Sequence, residues 1–231
     1  MTPREFAQSI RRSYELFNEL GVARTLRSEQ PLEADKNFNR VALDTTTPYP
    51  EVFMAALKLG HYNFQLTDYS IFQFSTGAND DTRLCFYPSP FGPKEFSVVK
   101  TLTQNLDGGS LDFEAYCYFL ENLQFNSRRP LIRFEFSAHQ YVRGLHPAAH
   151  LHIGTYGEDR WPCERKMTPY GFALMAARLY FSEHWEAVTE IRGGGARANS
   201  FDDLYFAEKK LCPVTEIQYF SDHERQQFHL A

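Results

Sequence analysis

The pattern of apolar and polar positions first predicts a helix that begins near Thr2. Thr2 is a typical N-cap, Pro3 suits the first helical position, and Glu5 completes a capping box. Gly21 is a natural stop at the other end. Apolar residues recur between these points at steps of three and four, which marks one buried stripe: Phe6, Ile10, Tyr14, Phe17 and Leu20. The stripe needs a partner surface, so this helix is expected to belong to the core.

Further helices are predicted from apolar periodicity and end signals over 50–59, 111–124 and 168–185. Apolar residues cover most of the circumference of the 111–124 helix, and such a helix is expected to be buried. Residues 24–46 are polar and irregular, and both a short strand and an exposed loop remain open for them.

Strand signals occupy the middle of the chain. Residues 69–74 and 84–87 have strand-like composition, and the turn formers 79–81 between them predict a hairpin. Two further strands are predicted over 131–137 and 150–153. Together these elements predict an α+β fold in which an antiparallel sheet packs against several helices. The sequence has no repeat and no linker, so a single α+β domain over 1–231 is expected.

The last two strands carry the candidate chemistry, because each alternates apolar and polar residues and so has one face of each kind. Antiparallel pairing with the apolar residues in the core sets their register. The core set is then Ile132, Phe134, Phe136, Leu151 and Ile153. The candidate catalytic set, which would share a solvent-reachable hollow on the opposite face, is Arg133, Glu135, His150 and His152. The loop between the strands offers candidate substrate-binding residues, which are His139, Arg143 and His146.

Three chemistries suit this grouping. Histidines two residues apart on a strand have Cα atoms about 6.6 Å apart, so His150 and His152, with Glu135 and His146, could bind a divalent transition metal such as zinc, iron or manganese. Without a metal, one imidazole could act as base and another as acid while Arg133 stabilises a phosphate. The cluster could also bind an anion without reaction. A satisfied polar network between sheet and loop is the structural alternative.

The composition limits the partners, the cysteine chemistry and the cellular location that we expect for this protein. The formal net charge of −5 argues against general coating of nucleic acid, although a local basic patch could still bind a phosphate. The four cysteines have neither disulfide-scaffold nor zinc-ribbon spacing, and buried reduced thiols are expected. No signal peptide and no membrane span is predicted, so the expected location is cytoplasmic. The Gly193–Gly195 run lacks a nucleotide-binding pattern and predicts a flexible loop.

Three segments carry a resemblance to a known family: Ser13–Gly21, Arg133–Phe136 and His146–Gly154. The last, His-Pro-Ala-Ala-His-Leu-His-Ile-Gly, is the most specific. The chain resembles the bacterial domain-of-unknown-function 2290 family (DUF2290), and the similarity covers most of it. That resemblance implies no particular activity. The strand, histidine-rich loop, strand layout is also distantly similar to that of small toxins of bacterial toxin–antitoxin pairs.

The leading functional hypothesis is a histidine-dependent enzyme, such as a ribonuclease or phosphodiester hydrolase, in a bacterial toxin–antitoxin or phage-defence setting. Its substrate would be RNA, a nucleotide or another phosphate-containing molecule. The alternative is a non-catalytic interaction subunit, whose aromatic-rich surface would bind a protein partner such as an antitoxin or a defence-system subunit. Neither hypothesis expects a membrane partner.

Overall fold

The strands form one seven-stranded antiparallel sheet in a computed structural model, which describes residues 1–126, 129–155, 159–193 and 201–227. Each strand pairs with the next one along the chain, so the sheet is a meander. The strands are β1 (Ala23–Leu26), β2 (Phe64–Leu66), β3 (Ile71–Thr76), β4 (Thr82–Tyr87), β5 (Ile132–Phe136), β6 (Ala149–Ile153) and β7 (Trp161–Pro162). The predicted α+β fold with an antiparallel sheet is confirmed.

Helices lie on both faces of this sheet. They are α1 (Pro3–Glu19), α2 (Lys36–Ala42), α3 (Tyr49–Lys58), α4 (Phe96–Asp107), α5 (Phe113–Glu121), α6 (Pro169–Tyr180), α7 (Ser182–Gly193), α8 (Phe201–Leu211) and α9 (Asp222–Gln227). The predicted capping box of α1 is present, because Thr2 N donates to Glu5 Oε2 (2.7 Å) and Glu5 N donates to Thr2 Oγ1 (3.3 Å). Among the described residues, no helix combines the length and apolar character that a membrane crossing requires.

The larger core fills the space between α1, α6 and one face of the sheet. Phe72 on β3 lies inside it, with ring centroids 5.0 Å from Phe17, 4.6 Å from Phe64 and 4.7 Å from Phe86. The inward residues of β5 continue the same apolar surface. This packing fixes which side of β5 faces the helices, and therefore which side carries its polar residues.

The opposite face of the sheet changes character from one strand to the next. On β3 and β4, Ile71, Cys85 and Tyr87 join a second core with residues of α2 to α5, whereas Gln73 and Arg83 on the same face are polar. On β5 the residue opposite Cys85 is Arg133, and the residue opposite Arg83 is Glu135. The second core thus gives way to a polar patch that begins on β3 and β4 and continues onto β5 and β6.

Tertiary packing overturns two helix predictions. The 111–124 helix is shorter and is not buried on all sides: Tyr116, Cys117 and Leu120 are buried, whereas Phe113 and Phe119 are exposed. The single helix predicted over 168–185 is two helices, because Phe181 leaves helical conformation (φ −129°, ψ 38°). Phe181 places its ring 5.6 Å from that of Phe17, so core packing accompanies the break.

Other expectations have mixed outcomes. Residues 24–46 contain most of β1 and the whole of α2, so neither of the two simple alternatives describes them fully. All four cysteines lie in the described part of the chain and are free thiols; Cys163 is only partly buried, unlike the other three. Gly193 ends α7, whereas Gly194 and Gly195 lie outside the described residues, so the predicted glycine loop stays a prediction.

Candidate functional site

The strands β5 and β6 pair antiparallel in the register that the hydrophobic pattern predicts. Arg133 lies opposite His152, and Glu135 lies opposite His150. All four therefore share one sheet face, as predicted. Two members of the predicted core set are less buried than expected: Leu151 is partly buried against the core, and Ile153, at the end of β6, is half exposed.

Burial within this cluster differs from the expected open hollow. The side chains of His150 and His152 are 1% and 2% exposed, whereas those of Glu135 and Arg133 are 16% and 22% exposed. Solvent therefore meets the cluster at the carboxylate and the guanidinium, and the imidazoles lie behind them. The site is partly enclosed, which strengthens every charge interaction within it.

The Glu135 carboxylate is the centre of the cluster. Its Oε1 lies 2.8 Å from Arg83 Nε and 3.1 Å from Arg133 Nε. Its Oε2 lies 3.6 Å from His150 Nε2 and 3.7 Å from His152 Nε2. Glu135 Oε1 and both imidazole Nε2 atoms lack hydrogen-bond geometry to any described residue. The cluster is therefore a close-packed group of charged and polar side chains in which the contacts to Glu135 are mainly electrostatic.

The hydrogen bond of His150 defines its tautomer. Nδ1 lies 2.7 Å from the Pro147 carbonyl oxygen, which can only accept, so Nδ1 carries the hydrogen. In a neutral ring the lone pair is then on Nε2, the atom that faces Glu135. The His152 ring has no hydrogen-bond partner for either nitrogen among the described residues.

The charges around Glu135 set the direction of two pKa shifts. Burial raises the pKa of Glu135, but the two imidazoles and the guanidinium groups of Arg133 and Arg83 outweigh burial and hold it well below its usual range. Burial lowers the pKa of His152, and the positive charge of Arg133 adds to this effect against the opposing influence of Glu135. The carboxylate is therefore ionised, and the His152 ring favours its neutral form, at neutral pH.

One group of side chains could hold a metal ion. Glu135, His150 and His152 each offer one ligand atom, and the three atoms lie within 4.8 Å of one another. His146 is adjacent, with its ring centroid 5.0 Å from that of His150, but it does not belong to this group of three. Burial also lowers the pKa of His146.

The other predicted loop residues, His139 and Arg143, do not belong to this group of three. His139 Nδ1 lies 3.3 Å from Asp81 Oδ1, beside the β3–β4 turn, and 3.1 Å from Ser137 Oγ. Arg143 is exposed on the β5–β6 loop. Asp81 and Ser137 line the same pocket as Glu135, so His139 lies at the edge of that pocket. The hypothesis that His139 and Arg143 bind substrate stays a prediction.

Arg83 is a candidate functional residue that the sequence analysis did not include. It pairs with Glu135 across the β4–β5 ladder and lines a pocket of about 200 Å³ on the same side of the sheet. Glu135, Gln73 and Asn39 also line this pocket. The Arg83 side chain is 42% exposed, so its guanidinium group is within reach of a ligand. Only knowledge of the strand order could have brought Arg83 to the cluster.

The β5–β6 loop, which supplies Pro147 and His146, is held by a buried carboxylate from α9. Glu224 Oε1 accepts from Tyr141 Oη (2.9 Å) and from Gly144 N (3.4 Å). Its Oε2 accepts from Ser221 N (2.9 Å) and from the Ser221 hydroxyl. Burial raises the pKa of Glu224, but the hydrogen bonds from Ser221 and Tyr141 outweigh burial and lower the pKa to about 2.

We expect Glu224→Gln to lower the free energy of unfolding at pH 7 by about 2 kcal/mol, because charge-assisted hydrogen bonds are lost. The folded-state pKa lies below the ordinary value of 4.5, so this stabilisation is present above pH 4.5 and is lost as the pH falls towards 2. Urea unfolding of both proteins at pH 7 and pH 3.5 should show a smaller difference at pH 3.5. Asp222→Asn, on the exposed side of the same helix, is the control and should change stability by less than about 0.5 kcal/mol. A pH-independent difference for Glu224→Gln would contradict the assignment.

The fold and site together define an α+β protein with a carboxylate–histidine cluster on the polar face of an antiparallel sheet. The model of one family, described as "Uncharacterized conserved protein (DUF2290)", matches residues 22–231. The chain belongs to this family, as the resemblance implied. The match includes Arg133–Phe136 and His146–Gly154, whereas Ser13–Gly21 lies before it. No curated protein and no solved structure matches the chain.

Proposed function

We propose that this protein is an enzyme that acts on a phosphate-containing substrate, such as RNA or a nucleotide. The observation that carries the proposal is that two guanidinium groups share one carboxylate. Arg83 and Arg133 lie beside Glu135 together with two imidazoles, and Arg83 lines an open pocket. Glu33 and Asp81 also line this pocket, so an anion would be held by direct contact with the guanidinium groups, which bind phosphate oxygens in pairs.

The residues divide into two roles in this proposal. Arg83 and Arg133 hold the phosphate and stabilise the negative charge that develops on it in the transition state. Glu135, His150 and His152 form the reactive centre that activates the nucleophile, either through a bound metal ion or by acid–base catalysis. The pocket is lined by one member of each group, Arg83 and Glu135, and this supports a substrate site there.

The proposed setting is the cytoplasm of a bacterium, in a toxin–antitoxin or phage-defence system. The distant similarity of the strand, loop, strand layout to small toxins supports this setting. Toxicity on expression in bacteria, relieved by a change in the cluster, is the expected result for such an enzyme.

A non-catalytic interaction subunit is the second candidate, and exposed aromatic residues on α5 favour it. Phe113, Tyr118 and Phe119 are all exposed on this helix. Exposed aromatic residues of this kind are enriched at protein interfaces. A stable complex on pull-down that is lost in Tyr118→Ala but kept in Arg83→Gln would favour this second function.

We expect Arg83→Gln to lower kcat/KM about 100-fold or more, because removing a preorganised donor to developing charge has effects of this size. Hydrolysis of total RNA and of bis(p-nitrophenyl) phosphate by the purified chain is the measurement. His150→Ala should abolish turnover. Arg11→Gln is the matched control, because Arg11 also has a glutamate partner at 3.0 Å but lies on the exposed side of α1. Full activity in folded Arg83→Gln and His150→Ala proteins would refute the proposed function.

A further inference from the structure

We propose that Glu135, His150 and His152 bind one divalent transition-metal ion. Two imidazole nitrogens and one carboxylate oxygen are the donors that Mn²⁺, Fe²⁺ and Zn²⁺ share, and the three come from adjacent strands of one sheet. The role of the ion in catalysis rests on the proposed function, whereas its binding does not.

The distances within the cluster suit a shared ion better than hydrogen bonds. Two ligands that each lie about 2.1 Å from one ion are about 3.0 to 3.4 Å apart at octahedral to tetrahedral angles. Glu135 Oε2 lies 3.6 Å from His150 Nε2 and 3.7 Å from His152 Nε2. Both distances exceed those of an N–H···O hydrogen bond, about 2.7 to 3.2 Å. For these two pairs, binding an ion would require the ligand atoms to approach by only a few tenths of an ångström, and all three ligand atoms lie within 4.8 Å of one another.

The hydrogen on His150 supports the same conclusion. Because Nδ1 donates to the Pro147 carbonyl, a neutral ring directs a lone pair at the Glu135 carboxylate, and two acceptors then face each other. A cation between them removes this repulsion. A hydrogen on Nε2 would instead make a hydrogen bond to Glu135, and the geometry contains none. A backbone carbonyl that accepts from the outer nitrogen is also the usual support for a metal-bound histidine.

His152 supplies an independent observation. Its ring is almost completely buried, yet neither nitrogen has a hydrogen-bond partner among the described residues. An unsatisfied buried polar group costs about 1 to 3 kcal/mol. A metal ion on Nε2 would satisfy one nitrogen of the ring and explain why an imidazole occupies this position.

The two guanidinium groups contact the other carboxylate oxygen, Oε1, and so leave Oε2 for the ion. With them, an ion would make the cluster strongly positive, which favours a hydroxide or a phosphate at its remaining coordination positions. Three protein ligands leave such positions open. In the proposed function, a water bound to the ion would release one proton to solvent, and its oxygen would form a bond to phosphorus. The bond from phosphorus to the leaving oxygen breaks and that oxygen takes a proton from solvent, so one water is consumed without any redox change.

Calorimetric titration of the EDTA-treated, dialysed full-length chain with Mn²⁺, Co²⁺ and Zn²⁺ tests the binding. We expect one ion per chain, and Co²⁺ should give the visible absorption of nitrogen and oxygen ligation. His150→Ala, His152→Ala and Glu135→Gln should each weaken binding by about 100-fold or more. His139→Ala is the matched control, because His139 also contacts a carboxylate but lies at the β3–β4 turn. It should bind like the wild type.

Absence of stoichiometric binding to the wild-type chain at 1 mM of each ion, on the order of the weakest affinity a functional site would have, would overturn the inference. Wild-type affinity for the metal ion in the Glu135→Gln protein, whose side chain keeps its shape, would also overturn the inference.

The metal site and the proposed function can fail separately. A protein that binds the ion but hydrolyses neither RNA nor the model diester keeps the metal site and loses the proposed function. A metal-free chain that hydrolyses these substrates at the full rate keeps the proposed function and loses the catalytic role of the ion.

Discussion

Phe72→Ala is expected to lower the free energy of unfolding by about 4 kcal/mol, since truncation of a fully buried phenylalanine loses its transfer free energy and leaves a cavity. Phe72 is fully buried, and its ring touches those of Phe17, Phe64 and Phe86. It therefore joins α1 to three adjacent strands, and little around it can collapse into the space. Guanidinium chloride unfolding followed by circular dichroism is the measurement.

The matched control is Phe119→Ala. Phe119 is exposed on α5, and alanine is a better helix former, so the change should be smaller than about 1 kcal/mol. Equal losses in the two variants would mean that the larger core does not lie between α1 and the sheet.

The elements that could be predicted are those whose signals are local. The capping box of α1 requires only residues three apart, and the β3–β4 hairpin requires only a turn between two strands. At this turn, Asn79 and Asp80 adopt positive φ angles (59° and 62°), which these residue types tolerate better than most. Local chemistry decides such elements before any tertiary contact forms.

The elements that could not be predicted depend on neighbours far along the chain. Apolar residues all around 111–124 suggested a buried helix, but α5 belongs to an outer layer and only its inner face is covered. The break at Phe181 follows the same logic, because no proline or glycine marks it and the ring packs against α1. Periodicity measures how apolar a segment is, and it does not measure how much of that segment the rest of the fold will cover.

In the candidate site, too, some features follow from local sequence and others depend on residues far along the chain. Alternation with a period of two, together with a single apolar face, was enough to place Arg133, Glu135, His150 and His152 on one side of β5 and β6. Arg83 reaches the cluster through the pairing of β4 with β5, and α4 and α5 separate these strands in the sequence. Burial was not predictable either, because it depends on what packs over the polar face. The four predicted residues thus came from a local pattern, and the fifth required the sheet.

Glu135→Ala, measured in metal-free buffer, is expected to lower the free energy of unfolding by about 3 kcal/mol. The change removes the carboxylate that faces two guanidinium groups and two buried imidazoles, and an unpaired, partly buried charge is costly. The value lies at the lower end for a buried pair, because Arg83 and Arg133 can each turn a partly exposed guanidinium towards water. Urea unfolding after EDTA treatment and dialysis is the measurement.

Glu15→Ala provides the comparison that isolates burial. Glu15 Oε1 lies 3.0 Å from Arg11 Nε, almost the same distance as that between Glu135 Oε1 and Arg133 Nε. The side chains of Glu15 and Arg11, however, are 58% and 61% exposed. Solvent screens such a pair, so its loss should cost less than about 0.5 kcal/mol. If Glu135→Ala cost no more than this, Glu135 would not be the charge that balances the cluster.

Addition of Mn²⁺ or Zn²⁺ should then separate the role of Glu135 in balancing charge from its role as a metal ligand. Bound metal stabilises the wild-type fold in proportion to the logarithm of the metal concentration, and it should leave the stability of the Glu135→Ala protein unchanged.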